Sequence, residues 1–280
     1  MLLVNTKSGF KQMLYGKRTY FGEKDGEPFY LSKSRKIYSD KIAKFAYRAN
    51  DKTKGLVIDR LCRIFPNIFI DEIQDLAGYD LELIRLLHKQ NINLLMVGDP
   101  RQVTYHTHDE SKNRAYEDGK IADYLKDKCK SAIIDETTLS ISHRNSPEIC
   151  AFANKVYPQY PQVSGTARPS TGHDGLFLVS PKDVDRYIAE YTPMQLRDKR
   201  TVETSNQAPA MNFGDAKGLT FDRVLIYPTK PMLDWIKNHN SSLAQKSRAK
   251  LYVAITRAKY SVAFVDDSLD AGQLEYFNRW

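Results

Sequence analysis

The chain has 280 residues, 41% hydrophobic and 27% charged, the balance of a globular protein with material for one large domain or two of ordinary size. Its formal charge of +8, with a pI near 9.2, points either to a polyanionic partner such as nucleic acid or to a basic surface that binds nothing. No apolar run approaches the roughly 18 residues that a membrane-spanning helix needs, which argues against a membrane partner. Met1-Leu2-Leu3-Val4-Asn5-Thr6-Lys7 has neither a long apolar core nor a small-residue cleavage site, so no signal peptide is expected. Cys62, Cys129 and Cys150 lie far apart and form no metal-type pair, a usage that fits a reducing cytoplasm.

In chain order, residues 1–55 are rich in Lys, Tyr and Gly with weak periodicity. They suit a small subdomain, a DNA-contacting surface, or a segment that needs a neighbour to fold. Ile68-Phe69-Ile70 reads as a strand, followed by a helix whose face carries Leu81, Ile84, Leu87 and His88, and then by a strand at Leu94-Leu95-Met96-Val97. A boundary is expected within residues 135–146. Ser146-Pro147-Glu148 is a helix start, with Ser146 as cap and Pro147 in the first turn, and Ile149, Phe152, Ala153 and Val156 share the apolar face behind it. Tyr157 to Asp174 is loop-like, and strands follow at Leu176–Val179, Val224–Tyr227 and Ser261–Val265. Short apolar runs of this kind suit parallel strands buried on both faces, so the expected class is α/β.

Ile70 leads into Asp71-Glu72-Ile73-Gln74-Asp75. The carboxyl ends of α/β strands are where ligands bind, so Asp71 suits a magnesium ion and Glu72 a water-activating role. A helix cap is the plainer use of such acids. The next strand ends in Gly98-Asp99-Pro100-Arg101-Gln102, where an amide can sense a terminal phosphate or simply close a turn. Ile141-Ser142-His143-Arg144-Asn145 places an arginine before the capped helix. Asn212 to Val224 offers a turn containing Ala216-Lys217-Gly218, and Leu251 to Lys259 reads as a helix with Arg257 projecting from it. Arginines grip phosphate oxygens bidentately, although any one of them alone is more commonly a solvated surface charge.

In order and combination these strings resemble motifs II, III, IV, V and VI of superfamily 1 DNA helicases of the UvrD/Rep kind, over roughly residues 66 to 266. The resemblance implies two RecA-like P-loop NTPase lobes with parallel sheets. The first, residues 1–140, would be incomplete and hold motifs II and III; the second, residues 141–280, would hold motifs IV, V and VI. It implies ATP and Mg2+ as cofactors and single-stranded DNA as partner. It also implies Asp71 as the metal ligand, Glu72 as the group activating water, Gln102 as the γ-phosphate sensor, and Arg144 and Arg257 as arginine fingers. Lys217, Gly218 and His143 would lie near the nucleotide, and Tyr105 would stack on DNA bases.

The departures are as informative. No Gly-x-x-x-x-Gly-Lys-Ser/Thr occurs; the nearest string, Tyr15-Gly16-Lys17-Arg18, lacks the first glycine and the hydroxyl residue. Only 67 residues precede Ile68, about a hundred fewer than a full first lobe with its usual insertion. The first lobe's sheet is therefore expected to expose an edge. His143 stands where relatives carry a tyrosine, His106-Thr107-His108 replaces an aromatic and an arginine, and Thr220 replaces an acid. The short span from Arg144 to Lys217 implies a simple second lobe. The leading expectation is the C-terminal portion of an ATP-dependent helicase or translocase, inactive in hydrolysis until a neighbouring chain or segment supplies the Walker A loop. The alternative is a non-hydrolysing DNA-binding or regulatory protein that keeps the fold and pairs with another effector.

Overall fold

The computed structural model describes residues 3–4, 10–14, 17–107, 111–267 and 274–277. The chain packs as two units, Met1–Pro100 with Tyr105–Ala132, and Arg101–Thr104 with Ile133–Trp280.

The first unit runs through β1 (Leu3–Val4), β2 (Phe10–Leu14), β3 (Lys17–Tyr20), α1 (Glu27–Tyr30), β4 (Ile37–Tyr38), α2 (Ile42–Lys52), α3 (Leu56–Ile64), β5 (Asn67–Ile70), α4 (Tyr79–His88), β6 (Asn93–Met96) and α5 (Ile121–Lys128). β2 and β3 form an antiparallel hairpin, and β1 pairs in parallel with β4. β5 and β6 pair in parallel across α4, with Ile68 opposite Leu94 and Ile70 opposite Met96. The α4 helix carries Asp80 and Glu82 in its first turn and Arg85 and His88 in its last, which complements the helix dipole at both ends. Leu81, Ile84 and Leu87 are buried on its inner face as expected.

One expectation fails in this unit. β5 and β6 are not buried on both faces: Phe69 is 73% exposed and Leu95 54%, while Ile68, Ile70, Leu94 and Met96 are half-buried. A single βαβ crossover supplies one helix for one face. Among the described residues this sheet has two strands, so each keeps an edge without a ladder partner.

The second unit comprises β7 (Ile141–Ser142), α6 (Pro147–Val156), β8 (Ser164–Gly165), β9 (Gly175–Val179), α7 (Val184–Tyr191), β10 (Met194–Arg197), β11 (Ala210–Asn212), β12 (Phe221–Ile226), α8 (Lys230–Lys237), α9 (Gln245–Thr256), β13 (Ala258–Val265) and β14 (Glu275–Tyr276). Six of the strands form a parallel sheet in the order β11-β10-β12-β13-β9-β14. Its period-two alternation feeds two cores. Leu178, Leu196, Val224, Ile226, Val262 and Phe264 pack with α6, α8 and α9. Phe177, Val179, Leu225 and Ala263 pack with α7 on the other face. The fold is α/β with parallel sheets, as the sequence implied. The Ser146 hydroxyl accepts a hydrogen bond from the Ile149 N–H, and Pro147 opens α6.

Candidate functional site

In the first unit, β5 delivers Asp71 and Glu72 to its carboxyl end. The Asp71 Oδ1 accepts the Glu72 N–H at 2.8 Å. Glu72 adopts φ 52° and ψ 39°, a left-handed conformation that costs a non-glycine residue about 1–2 kcal/mol and clusters at functional sites. One turn of 3-10 helix follows, closed by the Asp75 N–H on the Glu72 carbonyl at 3.0 Å. Two backbone bonds knit the strand ends: Val97 N–H to the Ile70 carbonyl at 2.8 Å, and Ile73 N–H to the Val97 carbonyl at 3.1 Å.

Gln74 lies over this junction, only 3% exposed. Its Oε1 accepts the Asp99 N–H at 3.1 Å, and its Nε2 donates to Glu72 Oε2 at 2.5 Å. Gly98 makes room for it: a Cβ there would sit 2.3 Å from Gln74 Oε1 and 2.8 Å from Ile73 Cγ2. Gly98→Ala is therefore expected to displace Gln74 and cost about 1–3 kcal/mol as overpacking, read by urea denaturation. An unchanged midpoint and slope would contradict the close fit.

Tyr105 belongs to the same unit. The residue is 55% exposed, while its hydroxyl bonds to the buried Asp75 carboxylate. Burial, then the charge and hydrogen bond of Asp75 and the charge of Glu72, push the phenol upward. Thr107 then bonds through its N–H to the Asp75 carbonyl at 3.0 Å and through its hydroxyl to Asp80 at 2.5 Å. His106 faces Asp118 at 3.3 Å, and His108 lies outside the described residues.

In the second unit Arg257 occupies the one-residue junction between α9 and β13 and is 1% exposed. Its Nε donates to the Val253 carbonyl at 3.2 Å and its Nη1 to the Leu219 carbonyl at 3.3 Å. Its Nη2 donates to Thr256 Oγ1 at 3.1 Å and to Gln102 Oε1 at 3.2 Å. Two expectations are corrected here. The helix stops at Thr256 instead of running to Lys259, and Arg257 does not project. Leu251 through Thr256 are all buried, so the helix end has no solvent side for a long cation to use.

Other segments converge on this junction. Arg144 Nη1 donates to the Thr256 carbonyl at 3.4 Å. The buried Asn145 donates through Nδ2 to the Thr256 and Ala258 carbonyls at 3.0 and 2.7 Å, and its Oδ1 accepts the Ser142 hydroxyl at 2.8 Å. The Lys217-Gly218 turn needs Gly218 for its φ of +79°, and it presents the Leu219 carbonyl to Arg257. The Phe221 N–H closes the loop on the Arg257 carbonyl at 2.9 Å. His143 is exposed, with Nδ1 3.4 Å from the Thr166 hydroxyl and its carbonyl accepting from Arg168.

The second unit thus gathers Gln102, Arg144, Gly218 and Arg257, with Lys217 in the same turn and His143 next to Arg144. The first unit gathers Asp71 and Glu72, with Tyr105 tied to them through Asp75. Gln74 and Asn145 had no role in the sequence reading, although both stand within the motif strings. The only signal there was a short amide beside a functional acid or arginine.

Chemically, guanidinium groups and an amide suit phosphate oxygens. Asp71 is exposed and offers a hard oxygen donor, which fits Mg2+, an ion commonly held by one or two carboxylates with waters and phosphate oxygens. Of the nearest glycine-lysine string, Tyr15 and Gly16 lie outside the described residues and Lys17 begins β3 of the hairpin. Among the described residues no helix is long and apolar enough to cross a membrane.

The model for the viral superfamily 1 RNA helicase core domain matches residues 35–266. Among solved structures, the PRRSV helicase is similar at 21% identity and a TM-score of 0.44, covering 74% of this chain and 36% of that one. The arterivirus nonstructural protein 10 helicase in complex with DNA is similar at 16% identity and a TM-score of 0.43, covering 71% of this chain and 39% of that one. The chain therefore spans well under half the length of these structures. No curated protein matches it.

Proposed function

Because the chain belongs to the viral superfamily 1 RNA helicase core-domain family, we propose that it is the motif II-to-VI portion of an NTP-driven helicase or translocase that moves on single-stranded nucleic acid. Residues 1–140 would serve as a partial first RecA-like lobe and residues 141–280 as the second. The motif strings resemble the UvrD/Rep kind, which favours ATP and DNA; the matched family's description names RNA, so both nucleic acids belong in the assay.

Glu72 takes the proton of the attacking water. Gln102 senses the terminal phosphate, and Arg144 and Arg257 neutralise charge as the phosphoryl group leaves. Lys217, Gly218 and His143 contribute to nucleotide binding. Asp71 holds Mg2+, which when bound neutralises charge on the phosphate oxygens. Tyr105 offers its exposed ring to a base, worth roughly 1–3 kcal/mol per stacked base. The observation that supports this reading most is the bonding of Gln102 and Arg257 at 3.2 Å, with Arg144 on the adjoining Thr256 carbonyl.

The 280-residue chain carries no Walker A string, so alone it is expected to bind single strands with strong salt dependence and to hydrolyse ATP at background. Adding a segment with a Gly-x-x-x-x-Gly-Lys-Ser/Thr loop, encoded upstream of Met1 or on a co-purifying chain, should give nucleic-acid-stimulated hydrolysis. Glu72→Gln should lower that hydrolysis by about 10²–10⁴-fold. Turnover by the chain alone, abolished by Glu72→Gln, would show that the loop is dispensable. Binding without hydrolysis in every assembly would favour the non-hydrolysing regulatory reading.

A further inference from the structure

We propose that Gln74 is a positioning residue for Glu72, holding its carboxylate in the orientation that water activation requires. The inference rests on the assignment of Glu72 as the water-activating group. Three observations carry it.

First, the orientation of the Gln74 amide is dictated by its surroundings. The Asp99 N–H is a donor, so the Gln74 atom facing it at 3.1 Å must be the carbonyl oxygen. The NH2 group is thereby turned to Glu72 Oε2 at 2.5 Å, where it can only donate. A free amide could rotate to suit either partner; this one is set by the backbone.

Second, the amide has nowhere else to go. Gln74 is a buried polar side chain within the first unit, and Gly98 is shaped to accommodate its oxygen. A buried amide with both ends engaged is rigid, because releasing either end leaves a buried polar group unmatched.

Third, Glu72 stands where the backbone leaves the strand conformation. Its backbone is left-handed at φ 52°, and Ile73 immediately turns into the 3-10 segment. The Gln74 amide bridges this carboxylate to the Asp99 N–H just beyond β6.

Two arms test this. In the full 280-residue chain, the Gln74 side-chain NH2 protons are followed by nitrogen-15 NMR hydrogen exchange, with Gln74→Glu used to assign them. In Glu72→Ala they are expected to exchange at least about tenfold faster than in the wild type, while the Asp99 amide proton keeps its protection. Equal exchange in the two proteins overturns the proposal, because a Gln74 that merely ties the strand ends together would not sense Glu72. In the loop-completed assembly, Gln74→Glu keeps an acceptor for the Asp99 N–H but loses the donor. It is expected to lower kcat by about 10–100-fold with KM within about threefold, the size of effect usual for a group that orients a functional side chain. A wild-type kcat in Gln74→Glu overturns this inference while leaving the proposed function standing. A wild-type assembly without turnover overturns the proposed function instead, and the exchange arm still decides the Gln74 contact.

Discussion

Arg257→Ala is expected to destabilise the second unit by about 3–5 kcal/mol, and Arg144→Ala by less than about 1 kcal/mol. The two arginines carry the same implied role, yet their surroundings differ sharply. Arg257 is fully buried and donates to four acceptors, the Val253 and Leu219 carbonyls, Thr256 Oγ1 and Gln102 Oε1. Truncating it removes a donor from two buried acceptors, the Val253 carbonyl and Thr256 Oγ1, and from two part-buried ones, at about 1–3 kcal/mol for each buried group left unmatched, and opens a cavity at the α9–β13 junction. Arg144 is half-buried and makes a single long bond, 3.4 Å, to the Thr256 carbonyl. Arg257→Lys should recover only part of the loss, because an ammonium is a point donor and cannot span acceptors arranged for a planar fork. A double-mutant cycle with Gln102→Ala should give a coupling of about 0.5–3 kcal/mol. Urea denaturation followed by circular dichroism reads all of these. Equal losses at Arg144 and Arg257 would contradict the difference in their environments.

That difference was not legible in the sequence, for a physical reason. Leu251-Tyr252-Val253-Ala254-Ile255 is an unbroken hydrophobic run ahead of Thr256, so its pattern gives no direction for Arg257. The partners that bury Arg257 lie at Leu219 and Gln102, 38 and 155 residues away. Asn145 was hidden in the same way, since nothing local shows that its amide will meet carbonyls 111 and 113 residues on. By contrast, α6 could be read directly, because the Ser146 cap, Pro147 and the face of Ile149, Phe152, Ala153 and Val156 are all local signals. The five apolar runs became β5, β6, β9, β12 and β13, but an apolar run cannot tell a covered strand face from an open one, and Phe69 and Leu95 fell on the open side. β10 escaped notice because the centre of Met194-Gln195-Leu196-Arg197 is a glutamine. Gln195 is buried with its amide fully engaged, donating to the Ser205 and Ala208 carbonyls at 2.8 and 2.7 Å and accepting from the Ser205 N–H at 3.0 Å and the Tyr227 hydroxyl at 2.5 Å. A satisfied amide can replace an apolar side chain in a core, and hydropathy does not register the replacement.

Acidification supplies the second large expected effect, through His173. Its ring is 7% exposed, stacked on Phe177 at 3.9 Å and on Tyr191 at 3.6 Å between ring centres, with Nε2 2.9 Å from the Tyr187 hydroxyl. Burial first, then the positive charge of Arg223, brings its pKa down to about 4, against the weaker opposite pull of Glu190 and Asp174. The unfolded chain, with a histidine pKa of about 6.5, takes up this proton earlier as pH falls. Stability from the neutral, stacked ring is therefore fully present above about pH 6.5 and is lost as pH falls toward 4, by up to about 2–3 kcal/mol. Asp174 titrates below that window. Burial raises its carboxyl, but hydrogen bonds from Thr171 and Ser170 outweigh this and hold it below the ordinary carboxylate value. His239 is lowered as well, chiefly by burial, so it adds a slope of the same sign that a His173 variant retains. His173→Phe should therefore keep the ring stack, lose some stability at neutral pH with the Tyr187 bond, and flatten the dependence of unfolding free energy on pH between about 6.5 and 4. Urea midpoints for both proteins across that range read the difference in slope, and parallel curves would show that His173 is not the group that responds.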